Sequence, residues 1–393
     1  MLSSEHRAII TATVPILEEG GETLTRHFYQ LLFHDFPQTK PYFNQAHQHS
    51  GAQQRALADS VLMYAKNIER LEALGPLVST IVNKHVSLRI LPVHYPMVGA
   101  SLLQAIREVL GVEVATDAVL EAWGAAYGQL ADILTGAEAG LYKAQSHAPG
   151  GWNDLRPFVI VEKRFENEEI TSFVLRPEDG DAVMTFLPGQ YIGVRVLVDG
   201  LEQRRQYSLS AISNGSTYQI SVKREPGGKV SNFLHDEVRV GDRIELLPPS
   251  GAFTLANSDK PIIFISGGIG ITPTLPMLSA ALAAGREVYF IHAARHGGVH
   301  AFRDQVDLLA ATHPRLRRFY LYAEKREGHA TPDAVGLLDS AKLEAWMPES
   351  RDVEAYFLGP TPFMKAVKQT LREVGVPEAQ TYFEFFGPAT ALS

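Results

Sequence analysis

The chain contains no cysteine in 393 residues. That excludes disulfides, thiolate metal sites, a cysteine-held iron–sulfur cluster and a thiol nucleophile, so redox chemistry here would have to run on bound cofactors. No long run of lysine or arginine occurs, and the formal charge is −8, from 36 basic and 44 acidic residues, so nucleic acid is not an expected partner. Charges or glycines interrupt every apolar stretch well before the roughly 18 residues that a membrane span needs. The opening MLSSEHRAII lacks the basic start and apolar core of a secretion signal. A cytoplasmic protein with no membrane span is expected.

Hydrophobic residues make up 45% of the chain and charged residues 20%, a balance that suits a folded globular protein. The length calls for two or three domains, and three textures divide it. Residues 1–146 read as helices. Leu24, Phe28, Leu31 and Leu32 mark one apolar face, and Leu57, Val61, Tyr64, Ala65 and Ile68 mark another. Pro76 and Pro96 fit first helical turns, and Thr116-Asp117 fits a cap before a long helix. The polar, turn-rich SHAPGGWND is a hinge. Over 147–257 the period changes to two: FVIVEKR, ITSFVLRP, YIGVRVLV, RQYSLS, YQISVKR and DRIELLP are short strands, as in an antiparallel barrel. Over 258–393 the β-rich runs PIIFISGG, EVYFIHAA, RRFYLYAE, EAYFLGP and TYFEFFG are mostly separated by helical patterns, which indicates a parallel α/β sheet.

In IVNKHVSLRILPVHYP, residues 81–96, His85 lies in an apolar stripe with Leu77, Ile81 and Leu88. Such a histidine can be a core residue bonded to a carbonyl. In a helical domain without thiolates it can also hold a haem iron through a neutral imidazole. Tyr29 follows Phe28 on what reads as the second helix, Gln53 and Leu57 share a helix face, and Phe43 can wedge against a flat macrocycle. On the last helix Tyr127, Ala131, Leu134 and Glu138 form one stripe. A carboxylate there is either solvated at a frayed end or paired, with His85 as partner and Tyr95 bridging.

Phe28-Tyr29, Phe43, Gln53, Leu57, Lys84-His85, Tyr95 and AEAGLY with Glu138 together resemble the haem domain of the flavohaemoglobins, and the two following textures match the rest of that family. The resemblance implies haem b with His85 as proximal iron ligand and Tyr95 and Glu138 as a proximal hydrogen-bond relay. It implies Tyr29 and Gln53 as distal donors that steady dioxygen, and Leu57 as the group restricting access. Lys84 would meet a haem propionate or a nearby carboxylate, or remain solvated.

Two further constellations resemble the ferredoxin-reductase superfamily. RRQYSLS puts a guanidinium and an aromatic ring on one strand face, and KREPGGKVSNFLHD runs from a strand through a Gly-Gly turn into a helix. The resemblance implies FAD held by Tyr191, Arg205, Gln206, Tyr207 and Ser208, with Val230 and Ser231 at the helix start. IIFISGGIGITP is a buried strand, a glycine loop and a helix; its Gly268-x-Gly270-x-x-Pro273 departs from the Rossmann fingerprint at the proline. By resemblance Gly268, Ile269, Gly270, Ile271, Thr272 and Pro273 approach NAD(P)H, although Ile271 stands where relatives often carry a polar residue. YFLGPTPFM resembles a second nucleotide turn, with Leu358 in place of the usual cysteine. In FEFFGP, Glu384 and Phe385 would lie beside the isoalloxazine, with Phe386, Gly387 and Pro388 completing the segment. Arg295 and several histidines in HAARHGGVH leave NADH and NADPH both open.

The family's activity is nitric oxide dioxygenation: O2 and NO become nitrate at a haem reduced by NAD(P)H through FAD, which detoxifies NO. An oxygen sensor or carrier, and a general flavin- and haem-dependent reductase, are the alternatives. A lipid bound in the haem cavity is a third alternative, and a monomeric state and a cytoplasmic location complete the expectations.

Overall fold

The computed structural model describes residues 2–44 and 51–387. The described chain divides into two compact units. One holds the residues up to Asp154 with 199–205 and Gly387, and the other holds 155–198 and 206–386.

The first unit is helical, with α1 (Ser4–Asp35), α2 (Ala52–Lys66), α3 (Gly75–Val86), α4 (Tyr95–Val114) and α5 (Asp117–His147). Pro76 and Pro96 occupy first turns as expected, and Thr116 Oγ1 caps α5 by accepting the Val119 N–H at 3.4 Å. One expectation fails: Tyr29 lies on the first helix, because α1 runs unbroken for 32 residues through Pro15. Pro15 sits on the exposed face, where water can take the carbonyl bond it vacates. The inner face of α1, with Ile10, Leu24, Phe28 and Leu32, packs into a core with Tyr64, Leu102, Ile106 and Trp123. Gly21 is the contact that lets α2 approach: a Cβ there would lie 3.3 Å from the Ala58 methyl.

In the rest of the chain, β1 (Arg156–Phe165), β2 (Ile170–Pro177), β3 (Tyr191–Val198), β4 (Leu201–Ser208), β5 (Tyr218–Lys223) and β6 (Arg243–Leu246) form an antiparallel sheet in the order β4-β3-β6-β1-β2-β5. Its end strands meet through a bridge between Leu209 and Ile220, which curls the sheet into the expected barrel. Phe158, Ile160, Phe173 and Leu175 fill it, each fully buried and contributing about 1.5–3 kcal/mol. Helix α6 (Lys229–Asp236) follows β5.

The last sheet comprises β7 (Ile262–Gly267), β8 (Val288–Ala294), β9 (Leu316–Tyr322), β10 (Ala334–Val335), β11 (Glu354–Leu358) and β12 (Thr381–Phe383), in the order β10-β9-β8-β7-β11-β12. Every pairing in it is parallel. Helices α7 (Ile271–Ala283), α8 (Arg303–Thr312), α9 (Ser340–Trp346) and α10 (Thr361–Glu373) connect the strands. Strand order reverses between β7 and β11, so the carboxyl ends of these two strands form the crevice where an open α/β sheet receives a ligand.

Candidate functional site

In the helical unit, α3 ends on Lys84-His85-Val86 and presents His85 toward α5. His85 Nδ1 lies 2.7 Å from Glu138 Oε1. Tyr95 Oη donates to the same oxygen at 2.5 Å and lies 3.1 Å from His85 Nδ1. Tyr95 therefore braces a direct His–Glu contact rather than bridging it. Glu138 is 1% exposed, and its other oxygen is buried with no partner among the described residues. A buried carboxylate is tolerable only when charged or strong donors meet it. Because the tyrosine proton also goes to Glu138, the proton on Nδ1 belongs to the imidazole, and Nε2 is left with a lone pair. No described residue hydrogen-bonds Nε2, and the His85 side chain keeps 32% exposure.

Two tyrosines that the sequence reading did not single out for this corner fix it further: Tyr127 Oη donates to the Tyr95 carbonyl and Tyr142 Oη to the Ile90 carbonyl, each at 2.6 Å. Burial, then the bond to Glu138, pushes the Tyr95 hydroxyl pKa well up, so it stays protonated. Among the described residues no three His, Asp or Glu side chains gather as a metal cage. A metal on His85 would therefore take its remaining ligands from a prosthetic group, which a planar tetrapyrrole supplies.

On α1, Tyr29 is 5% exposed, with Phe28, Phe33 and Phe43 rings 4.9, 5.7 and 5.5 Å away. Thr25 Oγ1 donates to the Gln54 carbonyl at 2.9 Å, one turn before Tyr29 and next to Gln53. That buried bond sets the register of α1 on α2, which carries Gln53 and, four residues on, the half-buried Leu57. The Lys84 ammonium reaches the Gly387 carbonyl at 2.7 Å.

In the barrel, Arg205, Gln206, Tyr207 and Ser208 end β4. Exposure along this strand does not alternate: every residue from Glu202 to Ser208 is half-buried. A strand lying on a core alternates, so β4 does not rest one face on the barrel interior. Tyr191, 7% exposed, starts β3. Val230 and Ser231 are buried in the first turn of α6. The Ser231 hydroxyl accepts the Glu225 N–H at 3.2 Å and donates to the Gly228 carbonyl at 3.3 Å. What this turn offers a diphosphate is thus backbone amides rather than that hydroxyl.

At its other end α6 is held by a residue the sequence reading passed over. A β-bulge between Ile160 and Glu162 turns Lys163 to the same side as Ile160. Its ammonium donates to the carbonyls of Leu234, His235 and Val238 at 3.2, 2.7 and 2.7 Å, a C-terminal cap with the favourable charge. A lysine in an alternating strand gives no sign of this, because the bulge reverses its direction.

At the third site, β7 runs into Gly268–Gly270 and then α7. Gly268 takes φ +54 with open space where a Cβ would be, while a Cβ on Gly270 would sit 2.5 Å from the Leu358 carbonyl oxygen. The loops after β7 and β11 are therefore packed backbone to backbone across the crevice. Ile269 is half-buried; Ile271, Thr272 and Pro273 are buried. Ile271 belongs to the core, so the missing polar side chain at that position is replaced by packing. The Phe385 ring packs on the other face of the same sheet, Glu384 is half-buried, Phe386 is 46% exposed, and Pro388 lies outside the described residues.

Residues 26–134 match the Globin family, 157–255 the Oxidoreductase FAD-binding domain and 264–369 the Oxidoreductase NAD-binding domain. The flavohemoprotein of Burkholderia sp. strain TH2 is 61% identical over 392 residues, and that of Pseudomonas putida 62%; both alignments span 100% of each chain. The chain belongs to the flavohemoprotein family. Among solved structures, the flavohemoglobin of Malassezia yamatoensis, with bound FAD and heme, superposes with a TM-score of 0.88 at 27% identity, covering 98% of this chain and all of that one. The FAD/NAD-binding domain of the nitric oxide dioxygenase from Vibrio cholerae covers 59% of this chain and 99% of its own at 36% identity, with a TM-score of 0.54. The order of the three sites along this flavohemoprotein follows the order of the three matched domains.

Proposed function

We propose that the chain is an NAD(P)H-dependent nitric oxide dioxygenase that removes NO as nitrate. The observation that carries the residue assignment is the buried Glu138 carboxylate, which orients His85 and leaves Nε2 for a metal. When bound, the nicotinamide would supply a hydride, FAD would pass its electrons on singly, and a haem held by His85 would supply the centre at which O2 and NO react. The chain's own residues set the geometry. Glu138 and Tyr95 hold the His85 proton on Nδ1 and enrich the ring, which favours oxygen activation over storage. Tyr29 and Gln53 are the distal donors, with Phe43 and Leu57 as walls. Tyr191, Arg205, Gln206, Tyr207 and Ser208, with the first turn of α6, orient the flavin. Gly268–Pro273 receive the dinucleotide, and Glu384 and Phe385 lie beside the flavin.

Each nitrate needs one electron, so one hydride serves two NO molecules. Air-saturated NADH oxidation with added NO is expected to yield nitrate in that proportion; strong NADH turnover without nitrate would instead mean a general reductase. Tyr29→Phe should speed oxygen dissociation and lower NO turnover while haem reduction persists, and an unchanged dissociation rate would remove Tyr29 from the distal site. Glu138→Gln should shift the iron–imidazole stretch in resonance Raman spectra. An identical frequency would leave the carboxylate without a proximal role.

No described helix is long and apolar enough to cross a membrane. We read the protein as acting in the cytoplasm, where its reductant is made, and as a monomer, which light scattering tests. The apolar walls around Tyr29 also suit a lipid chain, testable by extraction of purified holoenzyme.

A further inference from the structure

The inner face of β7 and β8 is apolar up to Phe264 and Phe290, then changes character. Ser266 and His292, paired in register and both 0% exposed, follow on that face, with Ser266 Oγ 2.8 Å from His292 Nδ1. The His292 ring lies 4.4 Å from that of His300, which stands edge-on to Tyr320 and Tyr322 at 4.6 and 5.7 Å. His300 Nδ1 is 2.7 Å from Tyr322 Oη, and Arg303 donates to that same oxygen at 2.8 Å and to the Thr331 carbonyl at 3.0 Å. Both imidazole Nε2 atoms are buried without a partner among the described residues. So many polar groups in an aromatic core are costly unless they act as one network.

A guanidinium can only donate, so Tyr322 Oη accepts from Arg303 and has its own proton to give. With that proton on the His300 Nδ1 bond, the neutral His300 carries its hydrogen on Nε2. In the arrangement that closes the chain, His292 donates from Nδ1 to Ser266 and keeps a bare Nε2. The two unpartnered nitrogens are complementary, one donor and one acceptor, and a single water between them would close the chain. Burial keeps both rings neutral, with His292 pushed down to about 3 and His300 well below its ordinary value. Between His300 and Arg303, Phe302 is buried with φ +62, a left-handed backbone state that is strained for a bulky residue.

The chain of bonds ends where the nucleotide loop begins. Ser266 lies between His292 and Leu358 in the sheet and directly precedes Gly267. Gly268, at φ +54 with open space beside it, gives the loop no side-chain anchor of its own. Downstream it is tied by the Thr272 hydroxyl, which donates to the Ile269 carbonyl at 2.9 Å. Ser266 is the corresponding upstream tie. We propose that Arg303, Tyr322, His300, His292 and Ser266 form a positioning chain that holds the root of this loop and sets affinity for NAD(P)H rather than the rate of hydride transfer. The proposal rests on the loop being the nucleotide site.

In the holoenzyme, Ser266→Ala and Tyr322→Phe are each expected to raise KM for the nucleotide about tenfold, with kcat and FAD content unchanged. His292→Asn, whose amide replaces Nδ1, should stay near wild type, whereas His292→Leu should match Ser266→Ala. Imidazole 15N shifts should place the His300 proton on Nε2 and show it move in Tyr322→Phe. An unchanged KM, or a fall in kcat together with lost FAD, overturns the positioning chain. Titrating NAD+ while following the Ile269 and Ile271 methyl groups separates the two failures. Silent methyls would sink the loop assignment itself, while shifted methyls with unaltered KM values would sink only the chain.

Discussion

Glu354→Ala is expected to lower unfolding stability by about 3–5 kcal/mol, without directly disturbing any cofactor site. Glu354 opens β11, and its carboxylate accepts from Arg286 Nη2 at 2.7 Å, with both side chains 4% exposed. Arg286 Nε also donates to the Lys260 carbonyl at 2.8 Å, so the guanidinium is built into the chain entering β7. Removing the carboxylate leaves a buried charge that no described group neutralises, and the loss is mostly the penalty of that orphan. The pair lies at the amino ends of parallel strands, opposite the nucleotide loop. Denaturant unfolding followed by flavin fluorescence should show the shift while KM for NAD(P)H stays put. The double replacement Arg286→Met with Glu354→Leu should recover most of the loss, because no charge then remains to be desolvated. A double variant as unstable as Glu354→Ala would mean that the pair's geometry, not its charge, holds the strand ends.

Neither partner of that pair was legible in the sequence, where Arg286 follows a turn glycine and Glu354 starts an apolar run. What could be read were periods and residue types. The change from helical stripes to alternation and then to strand–helix alternation placed the three textures, because each period follows from a backbone geometry. His85 and Glu138 stood out because polar groups in apolar stripes are expensive, and the structure brings them to 2.7 Å. The failures are of another kind. Continuity of α1 through Pro15 depends on which face meets solvent, and that is set by the helices packed on its other face. The direction of Lys163 depends on a bulge. Ser266, His292 and His300 are separated in sequence and meet only through strand register and an unusual backbone at Phe302. Arg295, one of the residues that left NADH and NADPH both open, is ion-paired with Glu169. Local pattern reports what an element must bury; it does not report which partner an exposed or reversed side chain will find.

The other large effect expected is at His85. His85→Gly should abolish the iron–imidazole stretch and cut NO-dependent NADH consumption by at least about a hundredfold, the upper range for loss of a partner only one shell further out. Electron flow from NADH to an added flavin acceptor should be unaffected, because every residue assigned to that path lies elsewhere in the chain. The substitution also withdraws the imidazole donor from Glu138, leaving Tyr95 as its one described partner. The buried carboxylate then becomes the weak point of the helical unit. Added imidazole fits the space vacated by the ring and can serve both ends at once, donating to Glu138 and offering a lone pair on the opposite nitrogen. It should therefore restore the Soret position and thermal stability together, at the same concentration. Recovery of stability alone would show that the corner is built for the carboxylate and that iron is held by another residue. Recovery of neither would show that α3 needs the side chain itself, and would leave Nε2 without the role its open lone pair gives it.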